Sequence, residues 1–366
     1  MCASPMASSA TKAAPLVTIA NAFTKPHWIP KFIKPSSVGV KKEEYSIDCT
    51  RYQKNLGRND ELKRRVRDLY QRIGLVYLQN TGTRNAEELQ RPFEGILGGG
   101  GVYTGGANPR SPVEGNVYDT GVSMSSFVHY HHEMAYVDTT VRNVFFTCSD
   151  LTPGVDGSSY VSDNVRVTDN IARTPLGMKL KDLGVCYIRK LTDREHYLHI
   201  PQVGVYNHWQ KSFLTGDMKE AERRARERGL EVEWGQNREM ITKYYAPSYE
   251  YCPDIDRNLL YASLADHSIW FDTWPLVEHL PQEDRPLKMT FGDDSEFSEE
   301  EVAQFVGIYD DHGIQLNWSP GEAAIVCNYR FLHGRPVIHL NAGEVRTLGV
   351  VLGEFFKRVG ALPGKW

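Results

Sequence analysis

The spacing of apolar residues predicts amphipathic helices at three places along the chain. In residues 59–74, NDELKRRVRDLYQRIG, one helical face is apolar, Asn59 is a candidate N-cap and Gly74 a stop signal. The apolar positions on that face are Leu62, Val66, Leu69 and Ile73. GDMKEAERRARERG predicts a second helix that ends at its glycine, and in SEEEVAQFVGIYDD a capping box formed by Ser298 and Glu301 predicts the start of a third.

Short runs of β-branched and aromatic residues predict many strands between and after these helices. The runs are LVYLQN, VRNVFFTCS, GVCYIRKL, IQLNW, AAIVCNY and VRTLGVVLGEFF. No repeat period separates them, and no linker is long enough to divide the chain. The pattern therefore predicts a protein with both helices and strands, of the α+β class.

Residues 1–40 differ from the rest, because they contain no Asp or Glu and are rich in Ala, Ser, Lys and Pro. This composition is typical of an organellar transit segment, but the segment also lacks Arg, which transit segments favour. We expect a flexible N-terminal tail on a cytoplasmic protein, with organellar targeting as the alternative.

Composition narrows the class of partner. The formal net charge of −4 favours no polyanion, so no nucleic acid is expected, and the basic residues of ELKRRVRDLYQR and KEAERRARERG alternate with acids as on solvated helix faces. No apolar run approaches membrane-spanning length, so no membrane is expected. The six cysteines include no CxxC pair, which argues against a zinc ribbon, and in a reducing compartment we expect no disulfide.

Candidate chemistry begins in VHYHHEMAY, residues 128–136. On a strand, alternate side chains share a face, so His129, His131 and Glu133 would point together and His132 away. Two metal-binding pairs stay open on this reasoning, His131 with Glu133 and His129 with His131. A histidine cluster that only forms hydrogen bonds is the alternative.

A second segment, GEAAIVCNYRFLHGRPVIHL, reads as a strand that ends in His333, with Arg335 close behind it. Arg346 follows thirteen residues after His333 on a further predicted strand. Two histidines and one carboxylate on iron leave three open positions, which is the facial triad of non-heme Fe(II) oxygenases. Such enzymes use 2-oxoglutarate, whose far carboxylate suits the planar guanidinium of an arginine.

At these residues the sequence resembles the TauD/TfdA-like Fe(II)/2-oxoglutarate-dependent oxygenases, and most of all their clavaminate-synthase-like branch. GNVYDTGVSMSSFVHYHHEMAY is similar to the stretch leading into the H-x-E-M-x-Y motif of the family. This match implies that His131 and Glu133 are metal ligands and that His129 and His132 are not. CNYRFLHGRPV is similar to D-N-x-x-x-x-H-G-R, with a cysteine in place of the Asp, and implies that His333 is the third ligand.

The resemblance also implies a cosubstrate site. DLTPGVDGSSYVSDN is similar to the P-x-x-G-G-x-T-x-x-x-D stretch of the family, in which Ser159 takes the place of the threonine that contacts 2-oxoglutarate and Asp163 takes that of the acid. One glycine of the motif is Asp156 here. GEVRTLGVVLGE resembles the closing strand, which implies that Arg346 holds the C5 carboxylate. Matching segments run from about residue 60 to residue 355.

The fold implied by the family is a double-stranded β-helix, or jelly roll, decorated with helices, with residues 41–366 as one catalytic domain. The implied activity requires Fe(II), 2-oxoglutarate and O2. It oxidises an unactivated C–H bond of a small amino-acid-like molecule and releases succinate and CO2. Related halogenases have a small residue at the position of Glu133, so halogenation is not expected. A zinc hydrolase or a non-catalytic protein on the same scaffold is the alternative, and Arg346 and the complete ligand set argue against both.

The substrate is less constrained by the sequence. A carboxylated substrate would need a cation near the iron, and Arg110, in the glycine-rich stretch GGGGVYTGGANPRSPVEG, is one candidate. A solvated arginine on a flexible surface loop is the alternative. Within the family the chain is similar to the algal kainoid synthases, which cyclise an N-prenylated glutamate to kainic acid. Hydroxylation of a free amino acid or betaine-like metabolite is the broader expectation, and the sequence does not indicate the oligomeric state.

Overall fold

A computed structural model describes residues 41–98, 112–114, 117–119, 124, 128–196, 208–263 and 286–366. The predicted tail over residues 1–40 and the candidate Arg110 lie outside the described residues. Helices and strands alternate irregularly along the described chain, and the protein is of the α+β class.

The α-helices, numbered in chain order, are α1 Lys42–Tyr45, α2 Asp60–Ile73, α3 Ala86–Gln90, α4 Glu94–Leu97, α5 Asn164–Ile171, α6 Pro175–Leu183, α7 Trp209–Ser212, α8 Met218–Arg226 and α9 Glu299–Asp311. The shorter 3₁₀ segments are Thr50–Arg58, Arg91–Phe93, Arg194–His196 and Gln236–Arg238.

The strands are β1 Ser46–Asp48, β2 Leu75–Gln79, β3 Pro112–Glu114, β4 Val117–Asp119, β5 Val128–His131, β6 Thr139–Leu151, β7 Ser159–Asp163, β8 Val185–Leu191, β9 Glu231–Trp234, β10 Met240–Ala246, β11 Tyr249–Cys252, β12 Arg257–Leu260, β13 Leu287–Phe291, β14 Gly313–Leu316, β15 Ala323–Cys327, β16 Phe331–Arg335 and β17 Arg346–Lys357.

The strands form three larger sheets and one hairpin. The largest sheet, of seven strands, has the order β1-β2-β15-β6-β17-β4-β3. A four-stranded sheet with the order β14-β7-β16-β5 carries the two candidate histidine ligands, and a second four-stranded sheet has the order β13-β8-β10-β9. Strands β11 and β12 pair only with each other within the described residues.

Two of the predicted helices begin as their capping residues indicate. The side chain of Asn59 accepts the N–H of Leu62, and α2 ends at Gly74, which is left-handed with φ 85°. The Ser298 and Glu301 capping box starts α9. The predicted glycine end of α8 is wrong, because the helix stops at Arg226 and a turn separates it from Gly229.

The seven-stranded sheet is buried on both faces, as alternation along β6 shows. Phe145 packs with Val66 of α2 in one cluster, whereas Cys148 packs with Val161 of β7 in another, and Phe146 is packed against that second cluster. One face of this sheet therefore meets the helices and the other meets the four-stranded sheet that carries the metal-ligand candidates. The candidate site lies between these two sheets.

The prediction of one strand ending in His333 is wrong. The segment forms two strands in different sheets, since β15 belongs to the seven-stranded sheet and β16 to the four-stranded sheet. A turn over residues 328–330 separates them. The apolar run continues through this turn because Tyr329 is itself buried in the core, so composition does not mark the break.

Among the described residues, no helix is both long enough and apolar enough to cross a membrane.

Candidate active site

Pairing of β5 with β16 brings the two predicted histidine ligands together. His131, the last residue of β5, lies opposite His333, and their ring centroids are 4.2 Å apart. Glu133 follows two residues later, and its Oε2 lies 3.6 Å from Nε2 of His333. One ligand atom from each of the three residues lies within 4.8 Å of the others, a spacing that fits a single ion. All three donors are nitrogen or carboxylate oxygen, the set that suits Fe(II).

The strand reasoning about His129 was wrong, because β5 ends at His131 and Glu133 lies in a turn. The backbone carbonyl of His129 instead lies 2.8 Å from Nδ1 of His131 and accepts its proton. This hydrogen bond leaves Nε2 of His131 with a lone pair for a metal, as is usual for ligating histidines.

His132 points away from this group, although the strand on which that prediction depended ends at His131. It is buried, its Nδ1 donates to the carbonyl of Asn328 at 2.6 Å, and its ring stacks on Tyr261 with a centroid distance of 4.4 Å. Burial lowers the pKa of His132 to about 3, so the ring is neutral at physiological pH. The structure gives His132 a packing role.

Sequence reasoning missed Asn328, which holds the turn that carries Glu133. Its Oδ1 accepts the backbone N–H of Glu133 at 2.8 Å, and its Nδ2 donates to the Glu133 carbonyl at 3.0 Å and to the Val141 carbonyl at 2.8 Å. The next residue, Met134, has a left-handed backbone with φ 57°, so the turn is tight. The asparagine of the D-N-x-x-x-x-H-G-R pattern was the signal that could have identified it.

Arg346 and Ser159 also come together, at the start of β17 and of β7. Arg346 donates from Nε to the Gly157 carbonyl at 2.7 Å and from Nη2 to Oγ of Ser159 at 3.0 Å, and Trp318 donates to the same oxygen at 2.9 Å. A Cβ at Gly157 would lie 3.3 Å from the Arg346 side chain, so glycine allows this close approach.

Burial lowers the pKa of Arg346 to about 10, because its cation is withdrawn from water. Within the described chain no ion pair joins Arg346 to a carboxylate, so a buried positive charge faces the interior between the sheets. A dicarboxylic cosubstrate would supply the anion that this site requires. The environment of Arg346 thus fits 2-oxoglutarate.

Two other residues singled out in the sequence have structural roles. Asp163 caps α5 by accepting the N–H groups of Val165 and Arg166. Arg335 donates to the backbone carbonyls of Met124 and Pro336. These bonds brace the segment after His333.

Comparison with known proteins shows the family of the chain. The family described as "Taurine catabolism dioxygenase TauD, TfdA family" matches residues 34–351. A clavaminate synthase-like protein from Arabidopsis thaliana is 26% identical over 238 residues, which cover 64% of this chain and 68% of that protein.

Solved structures of lower identity are also similar to parts of this chain. A taurine dioxygenase from Burkholderia xenovorans is 12% identical, covers 90% of this chain and 95% of its own, and has a TM-score of 0.48. An asparagine oxygenase in complex with Fe(II), 2S,3S-3-hydroxyasparagine and succinate is 13% identical, covers 81% of this chain and 79% of its own, and has a TM-score of 0.48.

The match over residues 34–351 spans most of the chain and includes the histidine, glutamate and arginine residues described above. The chain therefore belongs to the taurine catabolism dioxygenase TauD, TfdA family and is an Fe(II)- and 2-oxoglutarate-dependent dioxygenase that uses O2 as its second cosubstrate.

Proposed function

We propose that His131, Glu133 and His333 hold the Fe(II) and that Arg346, with Ser159, binds the C5 carboxylate of 2-oxoglutarate. The observation that carries this assignment is the meeting of three metal-binding side chains within 4.8 Å in the same interior as a buried arginine without a carboxylate partner among the described residues. The substrate is a small amino-acid-like metabolite, and the reaction oxidises one of its unactivated C–H bonds.

The iron, when bound with 2-oxoglutarate and O2, supplies the oxidising power for C–H cleavage, with succinate and CO2 as the coproducts. The protein supplies geometry and charge. The His129 carbonyl orients the ring of His131, and Asn328 fixes the backbone of Glu133. The edge contact of Phe146 with His333, at a centroid distance of 5.3 Å, shields this ligand from water.

Charge balance supports the role of Arg346. A guanidinium that is already desolvated pays little further cost when a carboxylate binds, so most of the attraction remains as affinity. The hydroxyl of Ser159 keeps the guanidinium in place by accepting one of its N–H groups. The bond from Trp318 to the same hydroxyl orients that oxygen.

The proposed fold is the double-stranded β-helix, or jelly roll. Its support is the apolar interface between the seven-stranded sheet and the sheet β14-β7-β16-β5, with the metal-ligand candidates on the inner side. The proposed catalytic domain covers residues 41–366.

Hydroxylation of a free amino acid or betaine-like metabolite is the proposed general outcome. Oxidative cyclisation of an N-prenylated glutamate, as in the kainoid synthases, is the more specific proposal and rests on the sequence resemblance. Both reactions begin with removal of a hydrogen atom from carbon, and the pose of the substrate decides the outcome.

Succinate release tests the proposal directly. Purified protein with Fe(II), ascorbate and 2-oxoglutarate is screened against free amino acids, betaines and N-prenylated L-glutamate, and the products are analysed by mass spectrometry. Hydroxylation adds one oxygen atom, whereas cyclisation of the prenylated substrate to kainic acid removes two hydrogen atoms. Turnover that persists with Zn(II) in place of Fe(II), or without 2-oxoglutarate, would refute the proposal.

A further inference from the structure

The turn that carries Glu133 is held by side chains from distant parts of the chain. The hydroxyl of Ser263 accepts the N–H of His132 at 3.0 Å and donates to the His132 carbonyl at 3.2 Å. The amide of Asn328 bonds both backbone groups of Glu133 in the same way. Within the turn, the N–H of Ala135 lies at a longer 3.4 Å from the His132 carbonyl. The shape of the turn therefore depends on contacts from outside it.

A further side chain bonds the Glu133 carbonyl. Oγ1 of Thr140 donates to this carbonyl at 2.7 Å, whereas Nδ2 of Asn328 lies 3.0 Å from it. The same Nδ2 also lies 2.8 Å from the Val141 carbonyl and 2.6 Å from the hydroxyl of Tyr261. Because an amide nitrogen carries two hydrogens, Asn328 cannot serve three acceptors equally well. Thr140 is therefore the main partner of the Glu133 carbonyl.

The directions of the hydrogen bonds around Thr140 are fixed. Its single hydroxyl hydrogen goes to the Glu133 carbonyl, so Tyr261 is the donor in the 3.0 Å contact between the two hydroxyls. The oxygen of Tyr261 in turn accepts from Nδ2 of Asn328. Burial raises the pKa of Tyr261 above its usual range, so the phenol keeps the hydrogen that it donates. The sequence of donations therefore ends at the Glu133 carbonyl.

Both hydroxyl-bearing residues are held in place by their surroundings. Thr140 is fully buried and pairs with Phe356 of β17 in the seven-stranded sheet. The ring of Tyr261 stacks on His132 with a centroid distance of 4.4 Å, and the guanidinium of Arg358 lies 4.9 Å from the Tyr261 ring centroid. Groups supported by strands and by packing hold a site more precisely than groups on loops. The Thr140 hydroxyl therefore gives the turn a fixed point of attachment.

We propose that Thr140 is a positioning residue for the metal ligand Glu133 and that Tyr261 directs the Thr140 hydroxyl toward the Glu133 carbonyl. The proposal rests on the function proposed above and deepens it, because it assigns the groups that keep the carboxylate ligand in place. A bond that fixes the Glu133 backbone limits the movement of its carboxylate, so less ordering remains when the ion binds.

Co(II) is the probe, and competition with a chelating dye gives its affinity. Thr140→Val removes the hydroxyl and keeps the branched shape, so affinity should fall by about fivefold to tenfold, as one hydrogen bond is lost while Asn328 still holds the turn. Thr140→Ser keeps the hydroxyl and should stay within about threefold of wild type. Tyr261→Phe should cause a smaller loss than Thr140→Val, because Thr140 can still donate to Glu133.

Thr168 of α5 provides the matched control. It is also buried, and its hydroxyl donates to the Asn164 carbonyl and accepts the N–H of Leu260. Thr168→Val should lower the free energy of unfolding, as Thr140→Val does, but should keep Co(II) affinity within about twofold of wild type. The visible absorption of bound Co(II), which reports ligand geometry, should change in Thr140→Val and stay the same in Thr168→Val.

Three results would overturn the proposal. Thr140→Val could bind Co(II) as tightly as wild type does, which would show that the hydroxyl has no effect on the metal. Thr140→Ser could lose as much affinity as Thr140→Val, which would assign the effect to shape. Thr168→Val could lose as much as Thr140→Val, which would assign it to general loss of stability.

Two further measurements separate this proposal from the function on which it rests. If wild type binds Co(II) but not 2-oxoglutarate, the cosubstrate assignment fails and the role of Thr140 stands. If wild type does not bind Co(II), the proposed function fails, and amide hydrogen exchange of the metal-free protein decides whether Thr140 holds the turn. Exchange around Glu133 should be faster in Thr140→Val than in wild type and Thr168→Val, and equal rates in all three would refute the contact.

Discussion

The two ends of the interior beside β17 are built differently. At the Arg346 end the guanidinium is buried and held by the Gly157 carbonyl and the Ser159 hydroxyl, and a Cβ at Gly157 would crowd it. At the other end lies an open cleft whose wall comes from several separate segments, with Arg189 and Arg228 on it.

The buried, hydrogen-bonded position of Arg346 fits its proposed role in cosubstrate binding. A fixed, buried arginine with its hydrogen bonds already formed suits one unvarying ligand, because little ordering remains to be done on binding.

The largest loss of activity is expected from substitution of a proposed metal ligand, because the reaction requires the iron. His131→Ala should abolish iron binding and succinate release, because a facial triad without one ligand holds the ion weakly. His132→Ala should retain iron and at least part of the activity. Iron content and turnover are measured on both proteins.

His132→Ala should instead lower the free energy of unfolding by about 2–4 kcal/mol, since it removes a buried ring and a hydrogen bond to Asn328. Denaturant unfolding measures this loss. Complete loss of iron from His132→Ala, equal to that from His131→Ala, would contradict the assigned ligands.

Arg346→Ala tests the proposed cosubstrate site alone. Truncating one partner of a buried charge pair costs about 2–5 kcal/mol, so affinity for 2-oxoglutarate should fall by about 30-fold to several thousand-fold. Arg346→Lys should recover only part of this, because an ammonium group lacks the guanidinium fork. Anaerobic titration of the Fe(II) protein, followed through the metal-to-ligand charge-transfer band, gives the affinity.

Arg335→Ala is the control for that experiment, because Arg335 is also buried but donates to the Met124 and Pro336 carbonyls. Binding of 2-oxoglutarate by Arg346→Ala within about twofold of wild type would refute the assignment. A greater loss in Arg335→Ala than in Arg346→Ala would refute it as well.

Asn328→Ala tests whether Asn328 positions the backbone of the proposed metal ligand Glu133. Removal of hydrogen-bonding partners behind metal ligands typically lowers metal affinity by about 10- to 100-fold, and Asn328 makes two bonds to the Glu133 backbone. Asn164→Ala is the matched control, since its buried amide bonds the Leu260 and Tyr329 carbonyls instead. Both variants should lose stability, but only Asn328→Ala should lose iron affinity in a competition titration. Equal iron affinities would show that Asn328 does not position Glu133.

Two adjacent serines, Ser158 and Ser159, test which hydroxyl supports Arg346. Ser159→Ala removes the acceptor for Arg346 and Trp318, and one hydrogen bond contributes about 1 kcal/mol, so 2-oxoglutarate affinity should fall about fivefold. Ser158 bonds Asp156 and Asn317, so Ser158→Ala should stay within about twofold of wild type. The same anaerobic titration decides between them, and the reverse order would place the other serine at the cosubstrate.

No functional effect is expected from the thiols near either end. Cys148 of β6 lies near the start of β17, where Arg346 is, and Cys186 lies on β8. Both are buried and have free thiols. Burial raises the pKa of each thiol to about 11, so at neutral pH alkylation should be about two orders of magnitude slower than for an unperturbed thiol. Intact mass should not change on reduction, and a gain of two hydrogen atoms would reveal a disulfide.

Local sequence determined much of the secondary structure. The asparagine and glycine that bound α2 act through hydrogen bonds within one turn, as does the Ser298 and Glu301 box of α9. Runs such as VRNVFFTCS became strands because their residues suit a sheet with both faces buried. These helix ends and strands depend on residues that are close together in the chain, so the sequence pattern could predict them.

The metal-ligand candidates were recognised from sequence because their motifs are short and ordered, but their meeting is a tertiary event. His131 and His333 lie about two hundred residues apart in the chain and become neighbours only through the pairing of β5 with β16. The end of β5 at His131 and the division of β15 from β16 were not visible, because buried residues continue through both turns.

The sequence by itself determined which residue types are available, namely a His-x-Glu pair, a later histidine and an arginine beyond it. Only the tertiary structure decided that Asn328 clamps the Glu133 turn and that Arg189 lies in the same cleft wall as Tyr136. The physical reason is distance along the chain. Contacts between segments that are far apart in the sequence produce no periodic pattern in either segment. The role of each side chain is set by a partner that only the folded chain brings near.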